Sequence, residues 1–173
     1  MDAITANDFD EFLTRAGIAT PDLGSQGGKQ LSFKPGPARV IIVHFVESDR
    51  PKYLLDMTTR ILDLEEMWLL VPRRGTAADL ELLNGSQPAK AFRFAAAEKD
   101  RLAEYLCTRP MAFGNYSMDI YVISGSGNTL ITWDHHTASE GLGIELRDKA
   151  DAGRLLVALN DLGAELDLIG REH

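Results

Sequence analysis

Residues 118–137, MDIYVISGSGNTLITWDHHT, decide how the chain is read. Apolar, β-prone runs at 120–123 and 130–133 flank Ser124, Gly125, Ser126, Gly127 and Asn128, a cluster that tolerates the positive φ of a tight turn. The segment therefore reads as a β-hairpin. Its second arm ends in Asp134, His135 and His136, which places the densest group of potential metal or proton-transfer ligands in the chain at the end of a strand. Side chains alternate along that arm, so Leu130, Thr132, Asp134 and His136 share one face and Ile131, Trp133 and His135 the other.

Upstream, residues 39–47, RVIIVHFVE, are almost continuously apolar and β-branched, as expected of a strand covered on both faces. A second strand is expected at 66–71, ending at Pro72, an edge strand at 89–94, and another short strand at 142–146. Helical spacing appears in four main places. Thr5 caps a first helix with Asp8 three residues on, Phe9, Phe12, Leu13 and Ala16 fall on one face, and Gly17 stops it. Asp49 and Pro51 open a second that carries Leu54, Met57 and Ile61. Residues 95–108 form a third with Leu102, Tyr105 and Leu106 inward, closed by Pro110. Asp148 caps a last helix in which Leu155, Leu159, Leu162 and Leu166 recur at i, i+4, i+7 and i+11, with Gly163 as a breaker. Thr76 and Asp79 supply a capping pair for a shorter helix before Asn84 and Gly85. Residues 20–37 carry four glycines and three prolines and read as a long loop with a short extended piece at 31–33.

This order predicts an α+β fold: one domain over residues 1–173, with a mixed, largely antiparallel sheet and helices packed mainly on one face. At 173 residues such a domain can bury a full core without staples. The single cysteine, Cys107, excludes an intramolecular disulfide and a multi-thiolate zinc cluster, and a cytoplasmic setting is expected. The acidic start lacks the basic flank and apolar core of a signal peptide, and no stretch approaches the roughly 20 apolar residues that span a bilayer. The 26 acidic and 18 basic side chains give a formal net charge of −8. That balance argues against direct nucleic-acid binding, which rests on cationic patches, and favours a basic protein partner.

Asp134 and His136 can converge on a divalent metal, but two ligands do not complete a site. Glu140, Glu145 and His44 are the additional donors, His44 only if its strand lies close to the hairpin. The plainer reading has Asp134 orienting a histidine or capping a turn, with His135 and His136 at a polar strand end. The triplet after an apolar strand resembles the signature of the DHH phosphoesterases, which are metal-dependent hydrolases. That resemblance covers three residues; the family's earlier aspartate-bearing motifs and second domain have no counterpart here. If similar chemistry arose separately, the resemblance implies that Asp134 and His136 hold the ion and Glu140 acts as general base on its water.

Other motifs dissolve on inspection. GSQGGKQ at 24–30 is one residue short of a phosphate-binding loop, has Gln30 where a hydroxyl residue belongs, and follows no buried strand. Ser124 and Ser126 lack a nucleophile elbow. Cys107 lies near a helix end rather than at the N-terminus that would favour its thiolate. Arg73 and Arg74 make a basic loop. Tyr121 and Trp133 share one face of the hairpin if the register permits, either as core under the last helix or as partner-contacting aromatics.

With no complete catalytic constellation, the sequence favours a non-enzymatic protein-binding module, of inhibitor or immunity type toward a basic partner. Its contact residues would be Tyr121, Trp133, Asp134, His135 and His136. The alternative is a metal-dependent hydrolase using Asp134, His136, His44 and Glu140. A structural homodimer is a third class, marked by a large apolar interface.

Overall fold

The hairpin forms as read and lies inside an eight-stranded sheet. The computed structural model describes residues 1–19, 31–34, 39–44, 50–72, 91–108, 120–133, 142–147, 149–160 and 165–170. In chain order the elements are β1 (Asp2–Ile4), α1 (Ala6–Ala16), β2 (Ile18–Ala19), β3 (Ser32–Phe33), β4 (Arg39–His44), α2 (Arg50–Leu62), β5 (Met67–Pro72) and β6 (Ala91–Ala95). A 3-10 turn at Ala96–Glu98 leads into α3 (Lys99–Thr108). Then come β7 (Ile120–Ser124), β8 (Thr129–Trp133), β9 (Leu142–Leu146), α4 (Lys149–Leu159) and β10 (Glu165–Gly170). The expected helix around Thr76 and Asp79, the Arg73-Arg74 loop and the glycine-rich 24–30 stretch lie outside the described residues.

The main sheet runs β1-β6-β5-β7-β8-β9-β4-β10, and β2 and β3 form a separate two-stranded ribbon. Every ladder among the described residues is antiparallel. Alternation then divides the side chains between two cores. On one face Trp68, Leu70, Phe92, Phe94, Val122, Ile131, Ile144 and Leu146 pack with residues of α2, α3 and α4. On the other, Leu69, Val71, Tyr121, Ile123 and Leu130 pack with α1 and with Ile18, Leu31 and Phe33. The Trp68 indole N–H, fully buried, donates to the Leu62 carbonyl at 2.9 Å, which satisfies the one polar atom that this ring brings into the core.

The first helix obeys its local signals. Thr5 is the N-cap, its hydroxyl accepting from the Asp8 N–H at 3.2 Å, and Gly17 closes the helix in the left-handed region at φ 62°. Its amphipathic face, Phe9, Phe12, Leu13 and Ala16, is the buried one.

Three expectations need correction. The edge strand expected at 89–94 is internal, because β1 pairs outside β6, with Ala3 opposite Phe92. Three residues beginning with an aspartate carry too little alternation to signal a strand. The last helix ends at Leu159, and Leu166 belongs to β10, opposite Val43 of β4. Leu166, Asp167 and Leu168 alternate with period two, so the i+11 recurrence of leucine is coincidental. Finally, Tyr121 pairs with Thr132 and Trp133 with Ile120, so positions 121 and 133 lie on opposite faces of the sheet.

The hairpin turn is seated against the end of α1. Gly127 has φ 76°, and a Cβ there would lie 2.7 Å from the Ala16 Cβ. Gly153, in α4, has nothing within 4 Å of the equivalent atom. Gly127→Ala should therefore destabilise the protein by about 1–2 kcal/mol from the left-handed backbone alone. Gly153→Ala should stabilise it by roughly 0.4–1 kcal/mol by restricting the unfolded chain. Urea midpoints moving in opposite directions check the pair.

Candidate functional site

The hairpin's far end was the sequence's first choice of site. β8 is described to Trp133, whose side chain is not; Asp134, His135, His136 and Glu140 lie outside the described residues. The register still places one partner. Thr132 pairs with Gly143, and Gly143 with Ile42, so β4 and β8 run in the same direction on either side of β9. His44 therefore ends β4 on the rim where β8 ends at Trp133, two interstrand steps or roughly 10 Å away. Among the described residues no group of three or more His, Cys, Asp or Glu is placed to hold a metal ion.

Glu145, another donor considered for such a site, instead accepts the Phe33 N–H at 3.3 Å. Tyr121 is 1% exposed and packs in the core under α1 rather than under the last helix.

The near end of the hairpin is a built turn. Ser124, fully buried, accepts at Oγ from the Asn128 N–H at 3.1 Å and the Thr129 N–H at 3.0 Å. The Gly125 N–H reaches the Met67 carbonyl at 2.7 Å, and the Ser126 hydroxyl donates to Glu65 Oε1 at 3.2 Å. The serines are thereby committed to holding backbone, and no imidazole stands in these contacts to activate either one.

Cys107 is half-buried on α3, with its thiol 3.6 Å from the Thr58 hydroxyl of α2. Burial pushes the thiol pKa up, and the Thr58 hydrogen bond only partly opposes it. That is the opposite of what a nucleophile needs.

A concave feature among the described residues lies elsewhere, along the outer seam of α2 and α3. The two helices pack through Met57, Ile61, Leu102 and Leu106 toward the sheet. Their direction is antiparallel: Asp63, just past the end of α2, pairs with Lys99 at the start of α3, while Thr58 meets Cys107 near the end of α3. On the solvent side this leaves a groove of about 600 Å³ lined by Leu55, Asp56, Thr59, Arg60, Asp100, Ala103 and Glu104. Arg60 turns one N–H to the Ala158 carbonyl at 3.1 Å, tying the groove's lining to α4. Leu55 is 44% exposed, one of two large apolar side chains left so among the described residues; the other is Val157 of α4.

Sequence reasoning missed this groove. Its residues fall on two helices joined only by tertiary packing, and the outward acidic positions look like any solvated face. No helix among the described residues is long and apolar enough to cross a membrane. The chain matches no protein-family model, no curated protein and no solved structure.

A thiol with a raised pKa holds less thiolate at a given pH. Cys107 in the folded protein should therefore react with an aromatic disulfide reagent at pH 8 at least about tenfold more slowly than in the urea-unfolded chain. Stopped-flow absorbance reads the two rates; equal rates would place the thiol in an unshielded environment.

Proposed function

We propose that the chain is a non-enzymatic cytoplasmic module that binds a basic protein, with an inhibitor or immunity-type role toward a basic toxin or nuclease as the form its charge suits. The observation that carries this reading is the formal net charge of −8 on 173 residues. Such a field accelerates encounter with a cationic partner and repels nucleic acid. Acidic residues are exposed on both helical layers: Asp8, Asp10 and Glu11 on α1 and Asp56, Asp100 and Glu104 on the opposite one. Support for a binding rather than a catalytic role also comes from Ser124 and Cys107, whose surroundings suit structure and not nucleophilic attack.

Affinity resting on exposed charges falls with ionic strength. The immobilised protein should retain a basic partner from native lysate at low salt and release it as salt is raised toward about 0.5 M, where the Debye length shrinks below about 5 Å. Mass spectrometry of the eluate identifies the partner. Retention of nothing at low ionic strength sinks the reading.

A second reading, hydrolysis assisted by a divalent metal, draws on the register that ends β4 at His44 and β8 at Trp133 on one rim, immediately before Asp134 in the chain. In it Asp134, His136 and His44 are the ligands and Glu140 the base on the bound water. Isothermal titration with zinc and manganese separates the two readings. A metal enzyme takes up one equivalent and loses it in His136→Ala; equal, weak uptake by both forms removes the hydrolase.

A further inference from the structure

The layer made of α1 and the β2–β3 ribbon is built as a separate piece. Its backbone bonds close on themselves: Ile18 pairs with Phe33, Ala19 pairs with Ser32, and the Lys34 N–H donates to the Gly17 carbonyl at 2.9 Å. Its described contacts with the main sheet run through side chains instead, with Phe12, Leu13 and Phe33 sharing a core with Tyr121, Ile123 and Leu130. At the chain's entry Ile4 is still paired with Ala91 in the main sheet, and α1 begins at Ala6. Thr5 alone separates the fixed part from this layer.

Arg147 brings a cation to the boundary. Its backbone N–H donates to the Asn128 carbonyl at 2.9 Å, which holds it beside the hairpin turn. From there its guanidinium meets the layer in three places. It donates to the carbonyl of Ala16, at the end of α1 where carbonyls without helical partners gather negative charge. Its Cζ lies 5.0 Å from the centroid of the Phe33 ring, over the ribbon. It also occupies the space beside Gly17, the joint between helix and ribbon, where a Cβ would run into it. A lysine would bring a point charge to this place but neither the planar fork nor the stacking surface. Glu145 adds a second tie by accepting the Phe33 N–H at 3.3 Å.

We infer that α1 and the ribbon form a latched flap, pivoting at Thr5 and held shut by Arg147, which detaches from the sheet as one body while the three-helix layer stays in place. Apolar contact alone would let helix and ribbon leave one after the other. A single cation bound to the helix end, the joint and the ribbon makes their release one event. Neither the latch nor the pivot depends on the basic-partner reading.

Hydrogen exchange of the full chain, followed by mass spectrometry under native conditions, tests the device. In the wild type the amides of α1 and the ribbon should exchange with a common opening equilibrium, and faster than those of β5, β7 and β8. Arg147→Met keeps the aliphatic stem and removes the cation. It should speed exchange in α1 and the ribbon together by about tenfold, with less than about twofold change in α2, α3 and α4. Arg147→Lys, the milder variant, should fall between the two. The control is Arg154→Met, which cuts the ties of another arginine, to the Leu64 carbonyl and Asp151 on the three-helix side, and should leave α1 and the ribbon within about twofold of the wild type. Wild-type α1 exchanging as slowly as β7 overturns the flap. So does acceleration by Arg147→Met or Arg147→Lys that is confined to α1, confined to the ribbon, spread evenly over every element, or absent.

Discussion

A strand with no exposed residue obliges the chain to build a layer on each side of it. All five residues of β7, Ile120–Ser124, are buried, and the neighbouring β5 contributes Trp68 and Leu70 to one face and Leu69 and Val71 to the other. Each such side chain stabilises the fold by about 1.5–3 kcal/mol when fully withdrawn from water, so leaving either face open would forfeit several of them at once. The antiparallel hairpin is therefore the constraint to which the rest answers. Helices α2, α3 and α4 cover one side, and α1 with the β2–β3 ribbon covers the other.

The turn between β7 and β8 coordinates those layers. Ser124 closes it from within, Gly125 reaches back to β5, and Gly127 comes so close to Ala16 that only hydrogen fits between them. Ser126 extends the connection to Glu65, which lies 4.0 Å from Arg154 of α4. A single loop thus touches the N-terminal helix, the sheet and, through one carboxylate, the C-terminal helix. The α2–α3 pair packs on the sheet so braced, through Met57, Ile61, Leu102 and Leu106.

Legibility in the sequence tracked the range of the interactions involved. Thr5, Asp8 and Gly17 act within one helix, and they were readable as a cap, a capping partner and a stop. The hairpin was readable for the same reason: its turn residues and its alternation lie within 14 residues, Ile120 to Trp133. What depended on pairing across the chain was not readable. Nothing local in Asp2, Ala3 and Ile4 says that they will cover β6, and the leucine spacing from 155 to 166 imitates one helix although a strand takes up its last part. Register alone separates Tyr121 from Trp133. The groove belongs to the same class, since Asp56 and Glu104 are 48 positions apart in the chain and meet only because α2 and α3 pack.

The two layers are unequal, and Arg147 shows where the thinner one is fastened. Its guanidinium donates to the carbonyl of Ala16, the last residue of α1, and lies 5.0 Å over the ring of Phe33 in β3, while its backbone N–H holds the Asn128 carbonyl at 2.9 Å. One side chain thereby rivets the end of α1 and the ribbon to the sheet. Native-state breathing should begin there: α1 and the ribbon can lift as a cooperative unit while the three-helix side stays closed, because the free energy of such an opening is set by the contacts of the lifted piece alone. The molecule would then have a soft flank and a stiff flank, with the carboxylate-lined seam on the stiff one.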